Sequence, residues 1–212
     1  MTVRIIVSGT DTGIGKTVLA AGLTMLLDGI YWKPVQSGVE DGTDSDTVRH
    51  LAGLSPERVL PEAWRLARPL SPHRAAELDM VEIADQTLAL PATSRPLIVE
   101  GAGGLMVPIN RRTLYIDIFA RWACPLLLCA RTGLGTINHT LLSIEALRSR
   151  AIPLLGVAFI GHDMPDTQRT IAEMGAVRVL GRLPRLDPLT PQALMRAMRA
   201  NFDPADFRKI TP

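Results

Sequence analysis

The chain consists of short hydrophobic runs separated by longer amphipathic stretches. Most runs show no polar alternation, which indicates strands covered on both faces, as in a parallel sheet. The stretches between them carry apolar residues at helical spacing, for example at 141, 144 and 147. The predicted strands are VRIIVSG (3–9), IYWKP (30–34), PLIVE (96–100), PLLLCA (125–130), PLLGVAFI (153–160) and VRVLGRLP (177–184). The predicted helices cover 16–27, 44–54, 81–90, 138–148, 165–174 and 191–200.

This alternation of strands and helices predicts an α/β fold, a doubly wound and mostly parallel sheet flanked by helices. The chain has 212 residues. Since domains commonly have about 100–200 residues, we expect a single domain over 1–212. The final segment, DPADFRKITP (203–212), is predicted to be a surface tail.

Composition and charge argue against nucleic acid or a membrane as a partner. The net charge is +2, from 23 Lys and Arg against 21 Asp and Glu, which is too small for a basic nucleic-acid surface. No window reaches the roughly 18 apolar residues of a membrane span, and MTVRIIVSG does not resemble a signal peptide. Cys124 and Cys129 are expected to lie buried on opposite faces of a strand, unbonded. We therefore expect a cytoplasmic protein.

The stretch GTDTGIGKT (9–17) has the features of a phosphate-binding loop. The usual pattern, G-x-x-x-x-G-K-[ST], would place a glycine at position 10, where this chain has a threonine, so the loop is one residue longer. A glycine-rich turn that opens a helix presents free N–H groups and the helix dipole to an anion. Lys16 would contact the β- and γ-phosphates, and the Thr17 hydroxyl would hold Mg²⁺. A turn that binds nothing is the less favoured alternative.

Two acidic segments are candidates for a Mg²⁺ site, which usually includes one or two carboxylates. Glu100 ends the run PLIVE, just before the glycine turn GAGG (101–104). A carboxylate at the end of a buried parallel strand is expected at the edge of the sheet where ligands bind. The second segment is DSD (44–46), which on its own indicates a helix cap by Asp44 or Ser45.

The loop resembles that of the dethiobiotin synthetase family, Gly-Thr-Asp-Thr-x-Val-Gly-Lys-Thr, in which the extra residue is a regular feature. Ile14, in place of the family's valine, is the only departure. The resemblance covers 3–184 and implies a fold of the P-loop NTPase type. Further similar segments follow in the same order: WKPVQSG (32–38), DSD (44–46), LSPH (70–73), VEGAGG (99–104) and TGLGTINHTLLS (132–143).

The resemblance implies closure of the ureido ring of dethiobiotin from 7,8-diaminopelargonic acid, CO₂ and ATP, with Mg²⁺, in biotin biosynthesis. One amine captures CO₂ as a carbamate, which attacks the γ-phosphate, and the second amine attacks the resulting carbamic–phosphoric anhydride. Such a reaction gathers negative charge, so it relies on positioning and charge stabilisation. Lys33, at the end of the second strand, could stabilise the carbamate and its phosphorylated product. Ser37, with the backbone near Gly38, could donate hydrogen bonds to the carbamate.

The resemblance also implies the site residues. The catalytic residues would be Lys33, Lys16 and Ser37. The nucleotide would be bound by Thr12, Gly13, Ile14, Gly15, Lys16, Thr17, Val18, Glu100, Gly101, Gly103, Leu183 and Pro184. The substrate would be bound by Thr10, Lys33, Ser37, Gly135, Thr136, Ile137 and Asn138. The Mg²⁺ ligands would be Thr17, Asp46 and Glu100.

In the family the segment GLGTINH (133–139) reaches the active site of the other subunit, so the resemblance implies a homodimer with active sites at the subunit interface. If 135–138 opens a helix, its N–H groups and the Asn138 side chain would face the substrate's carboxylate tail. His139 and His73 are further candidate binding residues. The alternatives for these two are a helix-start histidine and a surface-loop histidine.

Recognition of the nucleotide base departs from the family. Members often carry an asparagine at the end of the fifth strand, where this chain has Ile160 or Gly161. An isoleucine side chain cannot pair with the edge of a base. Base selection would then rest on backbone groups around 183–189 or be loose, and we predict a weaker preference for ATP than in members with the asparagine.

Two other functions stay open at this point. One is a switch ATPase of the partitioning type, which typically carries a second lysine early in the loop, where this chain has Thr10, Asp11 and Thr12. The other is an amidating ligase, which would need a separate glutaminase subunit. Neither explains the motifs as well as dethiobiotin synthetase does.

Overall fold

The computed structural model describes residues 2–40 and 42–208. Within them, seven strands form a central sheet and two short strands form a second, small sheet. The strands are β1 (Arg4–Gly9), β2 (Ile30–Trp32), β3 (Val35–Ser37), β4 (Val59–Leu60), β5 (Trp64–Leu66), β6 (Leu97–Gly104), β7 (Leu126–Arg131), β8 (Leu154–Ile160) and β9 (Val179–Leu183). The helices are α1 (Lys16–Leu26), α2 (Asp44–Ala52), α3 (Pro72–Leu78), α4 (Tyr115–Trp122), α5 (Thr136–Ser149), α6 (Pro165–Met174) and α7 (Pro191–Asn201).

The central sheet has the order β4-β2-β6-β1-β7-β8-β9, and its strand pairs are parallel. β1 lies between β6 and β7, so that Val7 is opposite both Glu100 and Leu127. The chain completes the β4-β2-β6 side before it crosses to β7, β8 and β9. The loops after β1 and β6 therefore lie where the strand order reverses, which is where such sheets bind ligands. The predicted doubly wound fold is confirmed.

Helices cover both faces of the sheet. α1, α2 and α7 pack against one face, and α3 to α6 supply buried side chains to the core on the other. The sequence of β7 has no polar alternation because both of its faces are buried. Leu127 and Cys129 belong to the core on one face, the first core, and Leu128 belongs to the core on the other, the second core. Cys124 is also in the second core, and both cysteines are buried and unbonded, as predicted.

The predicted helix over 81–90 is wrong, because this segment contains only a 3-10 turn at Asp85–Thr87. Side chains from other segments pair three of its carbonyl groups in place of helical hydrogen bonds. Asn110 donates to the Ile83 carbonyl, Arg121 donates to that of Asp85, and the Trp122 indole donates to that of Leu88. The hydrophobic pattern also did not predict α3, α4, β3, β4 or β5.

The surface tail predicted over 203–212 is wrong for its first part. Pro204–Phe207 forms a 3-10 turn, and the Phe207 ring is fully buried, 6.4 Å from the ring of Phe202. Residues 209–212 lie outside the described residues. Across the part of the chain that the structure describes, no helix is long and apolar enough to cross a membrane.

Candidate nucleotide and substrate site

The loop between β1 and α1 needs glycine at two positions. Gly13 has φ +69° and Gly15 has φ +99°, and L side chains rarely adopt such values. A Cβ on Gly15 would also lie only 3.1 Å from Cγ2 of Ile160. The glycines therefore allow the chain to turn sharply from the buried strand into α1, whose first N–H groups remain available to an anion.

Lys16 closes over the loop that precedes it. Its Nζ donates to the carbonyl oxygen of Asp11 at 2.7 Å, and the residue is only 6% exposed. Burial lowers the pKa of Lys16 below its ordinary value, partly opposed by the charge of Glu100. The ammonium group is thus held at the start of α1, next to the N–H groups that would bind phosphate.

Glu100 lies at the centre of a buried polar cluster. Its side chain is 1% exposed, and it belongs to β6, which continues to Gly104 rather than ending at this residue as predicted. Oε1 accepts hydrogen bonds from the Thr17 hydroxyl at 2.9 Å and from Lys33 Nζ at 3.2 Å. Oε2 accepts one from the Tyr31 hydroxyl at 2.8 Å. Both oxygens of this buried carboxylate are therefore paired.

Lys33 follows β2 directly and lies between two carboxylates. Its Nζ is 2.5 Å from Asp44 Oδ2 and 3.2 Å from Glu100 Oε1, and the side chain is 5% exposed. Burial disfavours the charged form of Lys33, but the two carboxylates outweigh this effect and raise its pKa above the ordinary value. Lys33 is therefore a fixed positive charge beside the phosphate loop.

The structure places Asp44, not Asp46, beside the loop. Asp44 Oδ1 is 3.1 Å from the Thr17 hydroxyl. Asp46 instead caps α2 through reciprocal hydrogen bonds with Thr43, pairs with Arg49 and is 57% exposed at its side chain. The hydrogen bond from the Thr43 side chain lowers the pKa of Asp46. Because residues two apart on a helix face different directions, only one of the two carboxylates can reach the site.

Oxygen atoms of three residues meet at the end of the loop, namely those of Thr17, Asp44 and Glu100. Carboxylate and hydroxyl oxygens are the ligands that Mg²⁺ prefers, and this ion usually keeps several waters and phosphate oxygens as well. The residues present therefore fit Mg²⁺ bound together with a nucleotide. Within 2–40 and 42–208 no group of three or more His, Cys, Asp or Glu residues is arranged to hold a metal by itself.

A cavity of about 470 Å³ opens beside this cluster. The Ser37 hydroxyl is buried and has no hydrogen-bond partner among the described residues. Since buried hydroxyls normally pair, this group is available to a ligand. The cavity is lined by Thr12, Lys33, Gln36, Ser37, Asp44, Pro69, Leu70, Ser71, Pro72, Ala102, Gly103 and Val107.

The glycines after Glu100 have different roles. Gly103, with φ +64°, lines the cavity, and a Cβ there would lie 3.2 Å from the Thr12 hydroxyl. A Cβ on Gly101 would instead lie 2.8 Å from the Phe119 ring, so packing against α4 accounts for this glycine. Thr12 lines the cavity, whereas Thr10 does not. The Thr10 N–H donates to the Cys129 carbonyl, which fixes the start of the loop to β7.

The predicted tail-binding segment lies at the start of α5. Gly135 has φ +88° and precedes the first helical residue, Thr136, which is buried, while Ile137 is half-buried and Asn138 is exposed. Leu134, just before it, is fully exposed. None of the residues that line the 470 Å³ cavity comes from 135–138.

The two candidate histidines lie apart from the carboxylate cluster. His139 is exposed on α5. His73 is in the first turn of α3, and its Nδ1 is 3.0 Å from the hydroxyl of Ser71, which lines the cavity. His73 itself lines a second, smaller cavity of about 300 Å³.

The remaining predicted nucleotide residues are mainly hydrophobic. Ile14 and Leu183 are buried in the first core, and Val18 packs against it. Pro184 is half-buried just after β9. The Gly161 N–H donates to the Leu183 carbonyl at 3.0 Å, so this carbonyl already has a partner.

Tyr31 and Gln36 were not predicted as site residues from the sequence, and Asp44 was predicted only as a helix cap. Tyr31 donates to Glu100, and Asp44 pairs with Lys33. Gln36 Oε1 accepts from the Asp44 N–H, and its Nε2 donates to the Ser37 and Gly38 carbonyls. The sequence did contain a signal for Asp44. Thr43 is followed three residues later by an acid, which is a capping-box pattern. This pattern assigns Asp46 to the cap and leaves Asp44 for the site. No sequence signal indicated Tyr31 or Gln36.

The β1–loop–α1 unit at the strand reversal, with its buried lysine and paired carboxylate, defines a P-loop NTPase. A family model described as an AAA domain matches residues 3–193. Among solved structures, the MinC:MinD cell division complex of Aquifex aeolicus is similar at TM-score 0.52 and 15% identity, over 94% of this chain and 95% of that one. A ParA family ATPase from Chlorobium tepidum gives 0.51 and 10%, over 94% and 92%. At these identities the likeness shows the fold alone.

Sequence comparison then identifies the family. The ATP-dependent dethiobiotin synthetase BioD of Rhodopseudomonas palustris (strain TIE-1) is 63% identical over 212 residues, all of both chains. That of Brucella anthropi is 61% identical over 198 residues, 93% of each chain. The chain belongs to the dethiobiotin synthetase family. This membership confirms the predicted enzyme class, an ATP-dependent ligase, and the switch ATPase is not favoured.

Proposed function

We propose that the chain closes the ureido ring of dethiobiotin from 7,8-diaminopelargonic acid and CO₂, using ATP and Mg²⁺. The observation that carries the proposal is the position of Lys33. It lies buried between Glu100 and Asp44, beside the hydroxyl of Thr17 and on the wall of the 470 Å³ cavity. A fixed positive charge at this point would face both the terminal phosphate of a bound nucleotide and a molecule in the cavity.

The phosphate loop would hold the triphosphate. N–H groups at the start of α1 would bind phosphate oxygens, and Lys16 would exchange its hydrogen bond to the Asp11 carbonyl for phosphate. Thr17, Asp44 and Glu100 would hold Mg²⁺, which supplies charge neutralisation at the phosphates when bound. Asp44 thus replaces Asp46 in the proposed ligand set.

Lys33 and Ser37 would act on the carbamate. One amine of the substrate adds to CO₂, loses a proton to solvent and gives a carbamate anion, which the Lys33 ammonium stabilises and the unpartnered Ser37 hydroxyl orients. Lys33 also stabilises the charge on the phosphorylated product until the second amine closes the ring and expels phosphate. Although burial opposes it, Glu100 and Asp44 raise the pKa of Lys33, so the free site holds a charged ammonium. Its role is electrostatic, and it is not the proton acceptor.

We further propose a homodimer in which 135–138 of one subunit completes the site of the other. In one chain, Asn138 and the neighbouring Leu134 are exposed, and this segment does not line the cavity. A partner copy could therefore bring the N–H groups at the start of its α5 to the substrate's carboxylate tail. The proposed enzyme is a single-domain, cytoplasmic protein.

The experiment is phosphate release with Mg²⁺, ATP and bicarbonate, with and without 7,8-diaminopelargonic acid, followed by mass spectrometry of the product. We expect release that depends on the diamine, with a product heavier by CO and lighter by two hydrogens. Lys33→Arg serves as the matched control for charge, compared with Lys33→Met. Release that stays unchanged without the diamine would contradict the proposed reaction.

A further inference from the structure

The two oxygens of Glu100 have different partners. Oε1 is paired with the Thr17 hydroxyl and Lys33 Nζ, which face the phosphate loop and the cavity. Oε2 is paired with the hydroxyl of Tyr31, whose ring is fully buried in the core formed with α1 and α2. Tyr31 lies in β2, next to β6 in the sheet, with Ile98 as its register partner.

We propose that Tyr31 is a positioning residue for Glu100, and that its hydroxyl holds the carboxylate in the orientation that directs Oε1 to Thr17 and to the metal of the bound nucleotide. The proposal rests on the proposed function of Glu100 as a Mg²⁺ ligand. Tyr31 is not among the residues that line the cavity, and its hydroxyl donates to Glu100, so we assign its effect to Glu100.

The Glu100 carboxylate needs a hydrogen-bond partner to fix the direction of its oxygens. The terminal torsion of glutamate is broad, so packing alone does not fix the direction of the two oxygens. A hydrogen bond to a ligating carboxylate restricts that torsion and pairs the oxygen that does not face the metal. The Tyr31 hydroxyl supplies this bond to Oε2 at 2.8 Å, from a ring that is fully buried.

The chain contains a matched control. It has 2 tyrosines, and Tyr115 in α4 is as fully buried as Tyr31. Its hydroxyl, however, has no hydrogen-bond partner in the described part of the chain. Replacing each tyrosine by phenylalanine removes one buried oxygen and keeps the ring, but only Tyr31→Phe removes a bond to Glu100.

The test measures ADP binding by calorimetry, with Mg²⁺ and with EDTA, in Tyr31→Phe, Tyr115→Phe and Glu100→Gln. We expect Tyr31→Phe to weaken binding about 10-fold to 100-fold with Mg²⁺, the usual effect of losing a partner of a metal ligand, and to leave binding in EDTA unchanged. Tyr115→Phe should match the unaltered protein in both conditions. Equal losses in the two tyrosine variants, or a loss that persists in EDTA, would overturn the positioning role.

The Glu100→Gln arm separates the two proposals. If this variant keeps its Mg²⁺-dependent ADP binding, the metal role of Glu100 fails and the inference on Tyr31 fails with it. If Glu100→Gln loses that dependence and Tyr31→Phe keeps it, only the inference on Tyr31 is wrong.

A second measurement does not require Tyr31→Phe to fold. In the Tyr115→Phe background, 3-fluorotyrosine labels Tyr31 alone, and ¹⁹F NMR reports its surroundings. The resonance should shift when Mg²⁺ and ADP bind together, and this shift should be lost with Glu100→Gln. A resonance that does not respond to Mg²⁺ and ADP would exclude the coupling.

Discussion

Replacing Lys33 by methionine should destabilise the protein as well as stop turnover. Methionine has a similar length and no charge, so the main change is that Glu100 and Asp44 lose their shared cation. Because Glu100 is only 1% exposed, water cannot replace the lost lysine as a partner of its carboxylate. The Lys33→Met protein therefore keeps a buried carboxylate whose remaining partners are the neutral hydroxyls of Thr17 and Tyr31.

The size of the effect follows from the geometry. At the 3.2 Å between Lys33 Nζ and Glu100 Oε1, Coulomb's law with an effective dielectric constant of about 20 gives about 5 kcal/mol. Asp44 is closer but has a side chain that is 33% exposed, so solvent screens its share. Removing one partner of a buried pair costs about 3–5 kcal/mol. In a chain of this length that cost corresponds to a fall in melting temperature of roughly 6–20 °C.

Differential scanning calorimetry checks the prediction on four proteins: the unaltered chain, Lys33→Met, Glu100→Gln and the double variant. The double variant has no buried carboxylate at position 100, because glutamine carries no charge. It should therefore melt at a higher temperature than Lys33→Met. The double-variant cycle should give a coupling energy that stabilises the native pair of Lys33 and Glu100. The steady-state rate with diamine should fall in Lys33→Met even below its melting temperature. Additive effects of the two substitutions, or a melting temperature unchanged by Lys33→Met, would refute the argument from the buried pair.

Three further results are expected. Asp44→Asn should lose Mg²⁺-dependent ADP binding, whereas Asp46→Asn should keep it and lower the free energy of unfolding by only about 0.5 kcal/mol, because the first turn of α2 loses a negative charge. Initial rates with competing nucleotides should show a modest preference for ATP over CTP and GTP, and Ile160→Asn should increase that preference by providing an amide for the base edge. ADP affinity in EDTA should fall as pH rises through the lowered pKa of Lys16, because only the charged lysine pairs with phosphate, and Lys16→Arg should flatten this dependence.

Each of these results has a defined contrary outcome. Loss of Mg²⁺ dependence in Asp46→Asn rather than Asp44→Asn would restore the assignment made from the sequence. A strict ATP requirement, with CTP and GTP inactive at saturating concentrations, would contradict the base prediction. An affinity for ADP that stays constant up to the pKa of an exposed lysine would show that burial does not perturb Lys16 in the free protein.

The sequence by itself determined the main architecture and the chemistry at the ends of the strands. Uninterrupted hydrophobic runs predicted the parallel sheet, because a strand covered on both faces has no polar side. The glycine spacing of 9–17 predicted the phosphate loop, and the order of further motifs indicated the family. Glu100 and Lys33 were predicted as site residues because both lie at the end of a buried run. Their place at the edge of the sheet therefore follows from the local pattern alone.

The tertiary structure decided which side chains meet. Neighbouring carboxylates in DSD look alike in sequence, and the direction of α2 selects Asp44 for Lys33 and Asp46 for the cap. Tyr31 reads as an ordinary core residue until the register of β2 against β6 brings its hydroxyl to Glu100. The segment 81–90 has helical spacing, but distant donors pair the carbonyls of Ile83, Asp85 and Leu88. In each case the deciding contact joins residues far apart in the chain, and local periodicity carries no information about such contacts.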